Sequence, residues 1–132
     1  MEIKYTQDKI FTMEQVESLF LSVGWVSGQY PKRLYKALMN SSTVITAWDN
    51  DRLVGLVRLL DDSEMVAYMH YVLVNPKYQG RGIAGHMIDL VKEKYKNFLR
   101  ARAGFSSESF RRKLRSFYLS ERGSHWFNVN YL

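Results

Sequence analysis

Two glycines one residue apart, Gly80 and Gly82, lie in a basic loop that opens a helix-forming stretch, and that combination can hold an anion. Glycine lets main-chain N–H groups approach a ligand closely, and a helix start leaves its first N–H groups without partners at the positive end of its dipole. Lys77 and Arg81 add two full charges beside them. The matching ligand is a phosphate or pyrophosphate. Acid–base chemistry has its own candidates. Histidine exchanges protons near neutral pH, and His70 lies on the apolar run that leads into the loop. Asp61 and Glu64 are carboxylates at the other end of that run, able to accept a proton directly or through water. Each also has a structural reading: His70 as a core histidine with a satisfied hydrogen bond, Asp61 and Glu64 as polar turn residues, and Arg81 as a solvent-facing base.

These residues need a strand, a turn and a helix in succession. Val66 to Val74 is rich in β-branched and aromatic side chains, as a buried strand should be. Asn75-Pro76 ends it, because proline donates nothing to a sheet ladder. Ile83, Met87, Val91 and Tyr95 recur every four residues and predict a helix over about Ile83 to Phe98. Upstream, Glu2 to Tyr5 can form a short strand with Ile3 and Tyr5 on one face. Thr12 and Gln15 have capping-box spacing ahead of a stripe at Met13, Val16, Leu19, Phe20 and Val23, predicting a helix from Met13 to Val23. Pro31 is placed to start a second helix through Met39. Trp25 and Tyr30, between the two, either seal that connector against the core or line a substrate pocket. Thr43 to Trp48 and Leu53 to Leu60 are strands joined by the turn residues Asp49, Asn50, Asp51 and Arg52, so three antiparallel strands precede the long helix. Past Arg100 a short basic run, a third helix containing Phe117 and Tyr118, and a final strand at Phe127 to Tyr131 are expected.

In this setting Gln79, Gly80, Arg81, Gly82, Ile83 and Ala84 resemble the central signature of the GNAT superfamily of N-acetyltransferases: Gln or Arg, two residues, Gly, one residue, Gly or Ala. The resemblance covers roughly residues 1 to 100. It implies an acyl-CoA N-acyltransferase fold of the α/β (α+β) class, with a mixed, mainly antiparallel sheet flanked by helices, and acetyl-coenzyme A as acyl donor. The main-chain N–H groups from Gln79 through Ala84 would hold its pyrophosphate. Leu73 and Val74 match the strand end that pairs with the pantetheine arm, and an N–H near Val74 would stabilise the oxyanion. Many relatives use a tyrosine as general acid, usually in a Phe-Tyr pair ahead of a glycine. Tyr118, followed by Gly123, is the matching residue here, at a longer spacing than the familiar one. The implied reaction is direct attack by a primary amine, with a small-molecule acceptor expected over a peptide or protein. Dimerisation is common among proteins resembling this one, so a homodimer is an expected assembly.

Composition bounds the alternatives. The 132 residues suit a single domain, residues 1–132, and 46% hydrophobic content argues against disorder. The absence of cysteine removes thiolate catalysis, disulfides and cysteine metal sites. His70, His86 and His125 lack ligand-like spacing, so no metal is expected. The loop is not a dinucleotide fingerprint, because Gly80, Gly82 and Gly85 follow a meander and not the first strand of a βαβ unit. Gly-Lys-Ser and Gly-Lys-Thr are absent, which excludes a Walker-type loop. The net charge of +6 is concentrated between Lys92 and Arg115, where Tyr95, Phe98 and Phe105 offer stacking surfaces. A nucleic-acid-binding module is therefore a rival reading, but no established motif supports it. An amphipathic membrane-surface role draws on the same charges, and a catalytically inactive coenzyme A-binding protein is a third rival. The first fifteen residues lack the basic start and apolar run of a signal peptide, so a soluble, cytoplasmic protein is expected.

Overall fold

The computed structural model describes residues 2–65 and 67–96. Four strands, β1 (Lys4–Thr6), β2 (Thr43–Asp49), β3 (Arg52–Asp61) and β4 (Ala67–Val74), form one sheet in the order β1-β2-β3-β4. Every pairing among them is antiparallel. Asn50, in the left-handed region at φ +53°, turns β2 into β3, a conformation asparagine tolerates better than most residues.

Alternation along the strands divides the core in two. On one face Val44, Leu56 and Leu73 meet α1 (Met13–Ser22) and α2 (Pro31–Met39), through Val16, Leu19, Phe20, Leu34 and Leu38. On the other, Ile45, Val57, Leu59, Met69 and Val72 meet α3 (Ile83–Lys94). The four-residue spacing of Ile83, Met87, Val91 and Tyr95 becomes a buried stripe, none of them more than 3% exposed. Burying each such side chain is worth about 1.5–3 kcal/mol, which fixes α3 firmly against the sheet. Ile3 and Tyr5 pack on this same core, and the Tyr5 ring stacks on His86 at 4.0 Å.

Local signals set the helix ends. Thr12 caps α1, its Oγ1 accepting from the Gln15 N–H (3.1 Å) while the Gln15 side chain accepts from the Thr12 N–H (2.8 Å). Pro31 is the first residue of α2. Lys9 Nζ donates to the Met39 and Ser41 carbonyls at the far end of that helix. The α3 helix ends at Lys94, short of the expected Phe98, which lies outside the described residues; Tyr95 is its C-cap. The Tyr95 hydroxyl donates to Asp61 Oδ2 (2.6 Å) and lies 2.7 Å from Thr43 Oγ1, tying the end of α3 to β2 and β3.

Candidate active site

The loop between β4 and α3 is built by short-range bonds. The Asn75 N–H continues the sheet ladder to the Val54 carbonyl (2.8 Å), while the Asn75 side chain accepts from the Lys77 N–H (2.9 Å). Pro76–Tyr78 makes one 3-10 turn. The buried Tyr78 donates its hydroxyl to Asp49 Oδ2 (2.6 Å), and that bond holds its phenol above the ordinary tyrosine pKa. The Arg52 and Arg81 guanidinium carbons lie 5.7 and 5.2 Å from the Tyr78 ring centroid, so two cations are held at the loop on one aromatic ring. Gln79 Nε2 donates to the Val74 carbonyl (2.9 Å), clamping the first signature residue to the strand end.

Gly80 and Gly82 have φ of +79° and +82°, where an L-residue is strained, and among the described residues beyond their chain neighbours no heavy atom lies within 4 Å of where a Cβ would stand. Gly82 is the N-cap of α3 and has no side chain with which to satisfy the helix. The first helical bond runs from the His86 N–H to the Gly82 carbonyl (3.0 Å). Consequently the N–H groups of Ile83, Ala84 and Gly85 have no acceptor among the described residues, and neither do those of Gly80 and Gly82. The loop thus combines donors, open space and positive charge, which fits a pyrophosphate.

The strand end is oriented by the same ladder. The Asn75-to-Val54 bond flanks the Gly55–Val74 pair and makes it a non-hydrogen-bonded one, so the Val74 N–H points away from β3. Among the described residues β4 pairs only with β3, and its other edge carries that donor. Leu73, one residue earlier, sends its side chain into the core on the α1–α2 side.

A second cluster lies on that α1–α2 face. The β3–β4 register shifts after Arg58, which pairs with Tyr71, while Leu59 pairs with Met69. His70 is therefore the extra residue of a β-bulge. Arg58 Nη1 lies 2.7 Å from His70 Nδ1, and arginine can only donate, so Nδ1 accepts and the neutral ring carries its proton on Nε2. Arg58 Nε donates to Ser41 Oγ (2.8 Å), and its guanidinium carbon lies 5.4 Å from the centroid of the Tyr71 ring. Burial lowers the Arg58 pKa from its ordinary value. The Tyr71 hydroxyl is 2.9 Å from Ser27 Oγ, in the connector between α1 and α2.

The predicted site residues thus fall in separate places. Gln79 through Ala84 form the loop, with Leu73 and Val74 at its base. Trp25 is buried against Phe20 and Tyr71, with ring centroids 5.7 Å away in each case. Tyr30 is 52% exposed at the start of α2, with Arg33 5.9 Å from its ring centroid. Glu64 is exposed in the β3–β4 turn, whose backbone is folded onto Asp62 Oδ1. From that turn to Val74 the strand runs roughly 20 Å. Asp61 accepts from the Ser63 N–H (2.9 Å) and from the Tyr95 hydroxyl. Tyr118 lies outside the described residues. Arg58, Tyr71 and Ser27 were not foreseen, although one charge inside the apolar run Leu53 to Leu60 was a signal for Arg58. Among the described residues no group of three or more His, Asp or Glu is placed to hold a metal ion, and no helix is long and apolar enough to cross a membrane.

Known proteins resemble this chain in sequence and in fold. An uncharacterised N-acetyltransferase (ycf52-like) of Prochlorococcus marinus is 31% identical over 97 residues, covering 70% of this chain and 53% of that protein. The chain therefore spans about half the length of that relative. The crystal structure of a probable acetyltransferase of unknown function from meticillin-resistant Staphylococcus aureus is 28% identical, with a TM-score of 0.65 over 73% of this chain and 71% of that one. An aminoglycoside 6′-N-acetyltransferase complexed with coenzyme A has the same fold at 16% identity, with a TM-score of 0.60 over 73% of this chain and 56% of that one. The family profile described as the acetyltransferase (GNAT) family matches residues 10–123, and with the fold and loop above this means that the chain belongs to the GNAT acetyltransferase family.

Proposed function

We propose that this chain transfers an acetyl group from acetyl-coenzyme A to the primary amine of a small molecule by direct attack. The observation that carries this reading is one continuous set of outward donors. The N–H groups of Gly80, Gly82, Ile83, Ala84 and Gly85 lie at the start of α3, and the Val74 N–H lies on the outer edge of β4. The aminoglycoside acetyltransferase of this fold, whose structure contains coenzyme A, supports the same assignment.

When bound, acetyl-coenzyme A supplies an acyl carbon activated as a thioester. In this reading Gln79 through Ala84 hold the pyrophosphate with main-chain N–H groups, and Arg81 adds charge. Leu73 and Val74 align the pantetheine arm along β4, and the Val74 N–H meets the negative charge that develops on the thioester oxygen. The amine nitrogen forms the new C–N bond as the C–S bond breaks. His70 takes the proton of the amine on Nδ1 by giving up its bond to Arg58, and Tyr118 gives a proton to the departing thiolate. Glu64, at the far turn, enters only through water. Trp25 and Tyr30 belong to the acceptor side.

The test is to incubate the protein with acetyl-coenzyme A and a panel of small amines, following free thiol and product mass. Equal release of thiol and acetylated amine is expected. Saturable acetyl-coenzyme A binding with no product across the panel would refute the transferase reading.

A further inference from the structure

Among the described residues, Arg58 is a half-buried cation whose contacts are all with uncharged groups. Two of the five N–H donors of its guanidinium are used, Nε on Ser41 and one on Nη1 with His70. The remaining N–H of Nη1 and both of Nη2 have no acceptor among the described residues, and no carboxylate pairs with the group there. A desolvated charge without a counter-ion is costly, and the Nη1–Nη2 edge has the geometry that binds a carboxylate with two parallel hydrogen bonds.

Its place in the sheet gives that edge a use. Arg58 pairs with Tyr71, and Leu56, two residues earlier on the same face, pairs with Leu73. Two residues along a strand span roughly 7 Å, so Arg58 stands about one small molecule away from the strand end assigned to the thioester. Tyr71 connects it to Ser27 in the α1–α2 connector and to the rings of Trp25 and Phe20, giving one cation set in a mostly aromatic surround.

We infer that the amine acceptor carries a carboxylate, and that Arg58 is the residue that reads it. Among the described residues no lysine or second arginine touches this guanidinium, and a single one matches a monoanion better than a phosphate dianion. A carboxylate on the Nη1–Nη2 edge draws on the donors that Ser41 and His70 leave unused. Ser41, which holds Nε while donating its own hydroxyl proton to the Ala37 carbonyl (2.7 Å), positions the guanidinium.

This inference rests on the transferase reading, and its test separates the two. Acetyl-coenzyme A binding is measured first, then kcat/KM for amino acids and for their carboxamide counterparts with the same amine, in wild type, Arg58→Gln and Arg58→Lys. The wild type is expected to prefer carboxylates at least tenfold, the effect of one charge-assisted pair. Arg58→Gln should lower kcat/KM for the carboxylates at least tenfold more than for the carboxamides, and Arg58→Lys should retain part of the preference. Equal wild-type rates for acid and amide, a preference for phosphorylated amines, or an equal fall in both series in Arg58→Gln would overturn the inference and leave the transferase reading intact. Cofactor binding without turnover of any amine would overturn both.

Discussion

Gly55 tests whether the sheet positions the loop proposed to bind the pyrophosphate. It sits on β3 opposite Val74, under the first turn of α3. A Cβ at this position would lie 3.1 Å from Met87 Cε and 3.3 Å from both Ala47 Cβ and Ile83 Cγ2. Carbon atoms in ordinary contact sit about 3.5–4.0 Å apart, so alanine needs neighbours to yield by about 0.3–0.5 Å. The free end of the Met87 side chain can supply much of this, and alanine also recovers about 0.5–1 kcal/mol of backbone entropy. Gly55→Ala should therefore stay within about 1 kcal/mol of the parent. Valine adds two carbons that reach roughly 1.5 Å further, and Ile83 must then move. Overpacking of this kind costs about 1–3 kcal/mol. For a chain of this length each kcal/mol shifts Tm by roughly 3–6 °C, so Gly55→Val should melt about 3–18 °C lower. Because Ile83 carries one of the open N–H groups, a shift of about 1 Å takes that donor out of hydrogen-bond range. Losing one such bond costs about 1 kcal/mol, roughly fivefold in affinity. Thermal melts and calorimetric titration with acetyl-coenzyme A of both variants check the two effects. A destabilised but folded Gly55→Val protein with parental affinity would refute the claim that the start of α3 binds the ligand from its seat on this glycine.

Other expectations concern the supports of the site. Thr12→Ala removes the Oγ1 acceptor of the α1 capping box, leaving only the bond from the residue-12 N–H to Gln15, and should cost about 1 kcal/mol in denaturant melts, with cofactor affinity unchanged, since α1 lies on the opposite face of the sheet from α3. Tyr95→Phe leaves Asp61 Oδ2 and Thr43 Oγ1 without their hydroxyl partner and should lose about 1–3 kcal/mol in the same measurement. Tyr95 also sets a pH dependence, because burial and then the hydrogen bond to Asp61 raise its folded pKa above the ordinary value of 10.0. Above pH 10 the folded state holds a proton that the unfolded chain releases, so stability is fully present below pH 10 and falls as pH rises beyond it. Melts between pH 9 and pH 11 should show a steeper alkaline decline in wild type than in Tyr95→Phe; equal slopes would remove Tyr95 as the source.

Much of the fold was readable because its signals are local. The capping box before Met13 and the proline at position 31 set the starts of α1 and α2, and the four-residue stripe from Ile83 set the buried face of α3. The turn at Asn50 set the β2–β3 hairpin in the same way. The loop was readable for a related reason, since glycine positions report backbone conformation directly, and both Gly80 and Gly82 have positive φ. The Arg58–His70 pair was not readable. It depends on a bulge that adds one residue to β4, and nothing in the side-chain pattern of Val66 to Val74 marks where a ladder slips. His70 was legible as a residue on the strand, but its tautomer follows from the arginine across the bulge. Trp25 and Tyr30 show the same limit. Both are aromatics in one connector, yet one is buried against Tyr71 and the other is exposed, because the 3-10 turn Val26–Gln29 rotates the chain between them.

The most direct measurement is calorimetric titration of acetyl-coenzyme A into the wild type and into Gly82→Asp. Aspartate accepts the left-handed backbone of position 82 more readily than most L-residues, and its carboxylate would occupy the donors of α3. Even at the dielectric of bulk water, a unit charge about 5 Å away costs about 0.8 kcal/mol per ligand charge, or about 1.7 kcal/mol for a doubly charged pyrophosphate. Saturable one-to-one binding to the wild type, weakened more than tenfold in a folded Gly82→Asp protein, is the predicted result. Equal affinity in the two folded proteins would contradict the account, because the pyrophosphate would then be held somewhere other than the loop between β4 and α3.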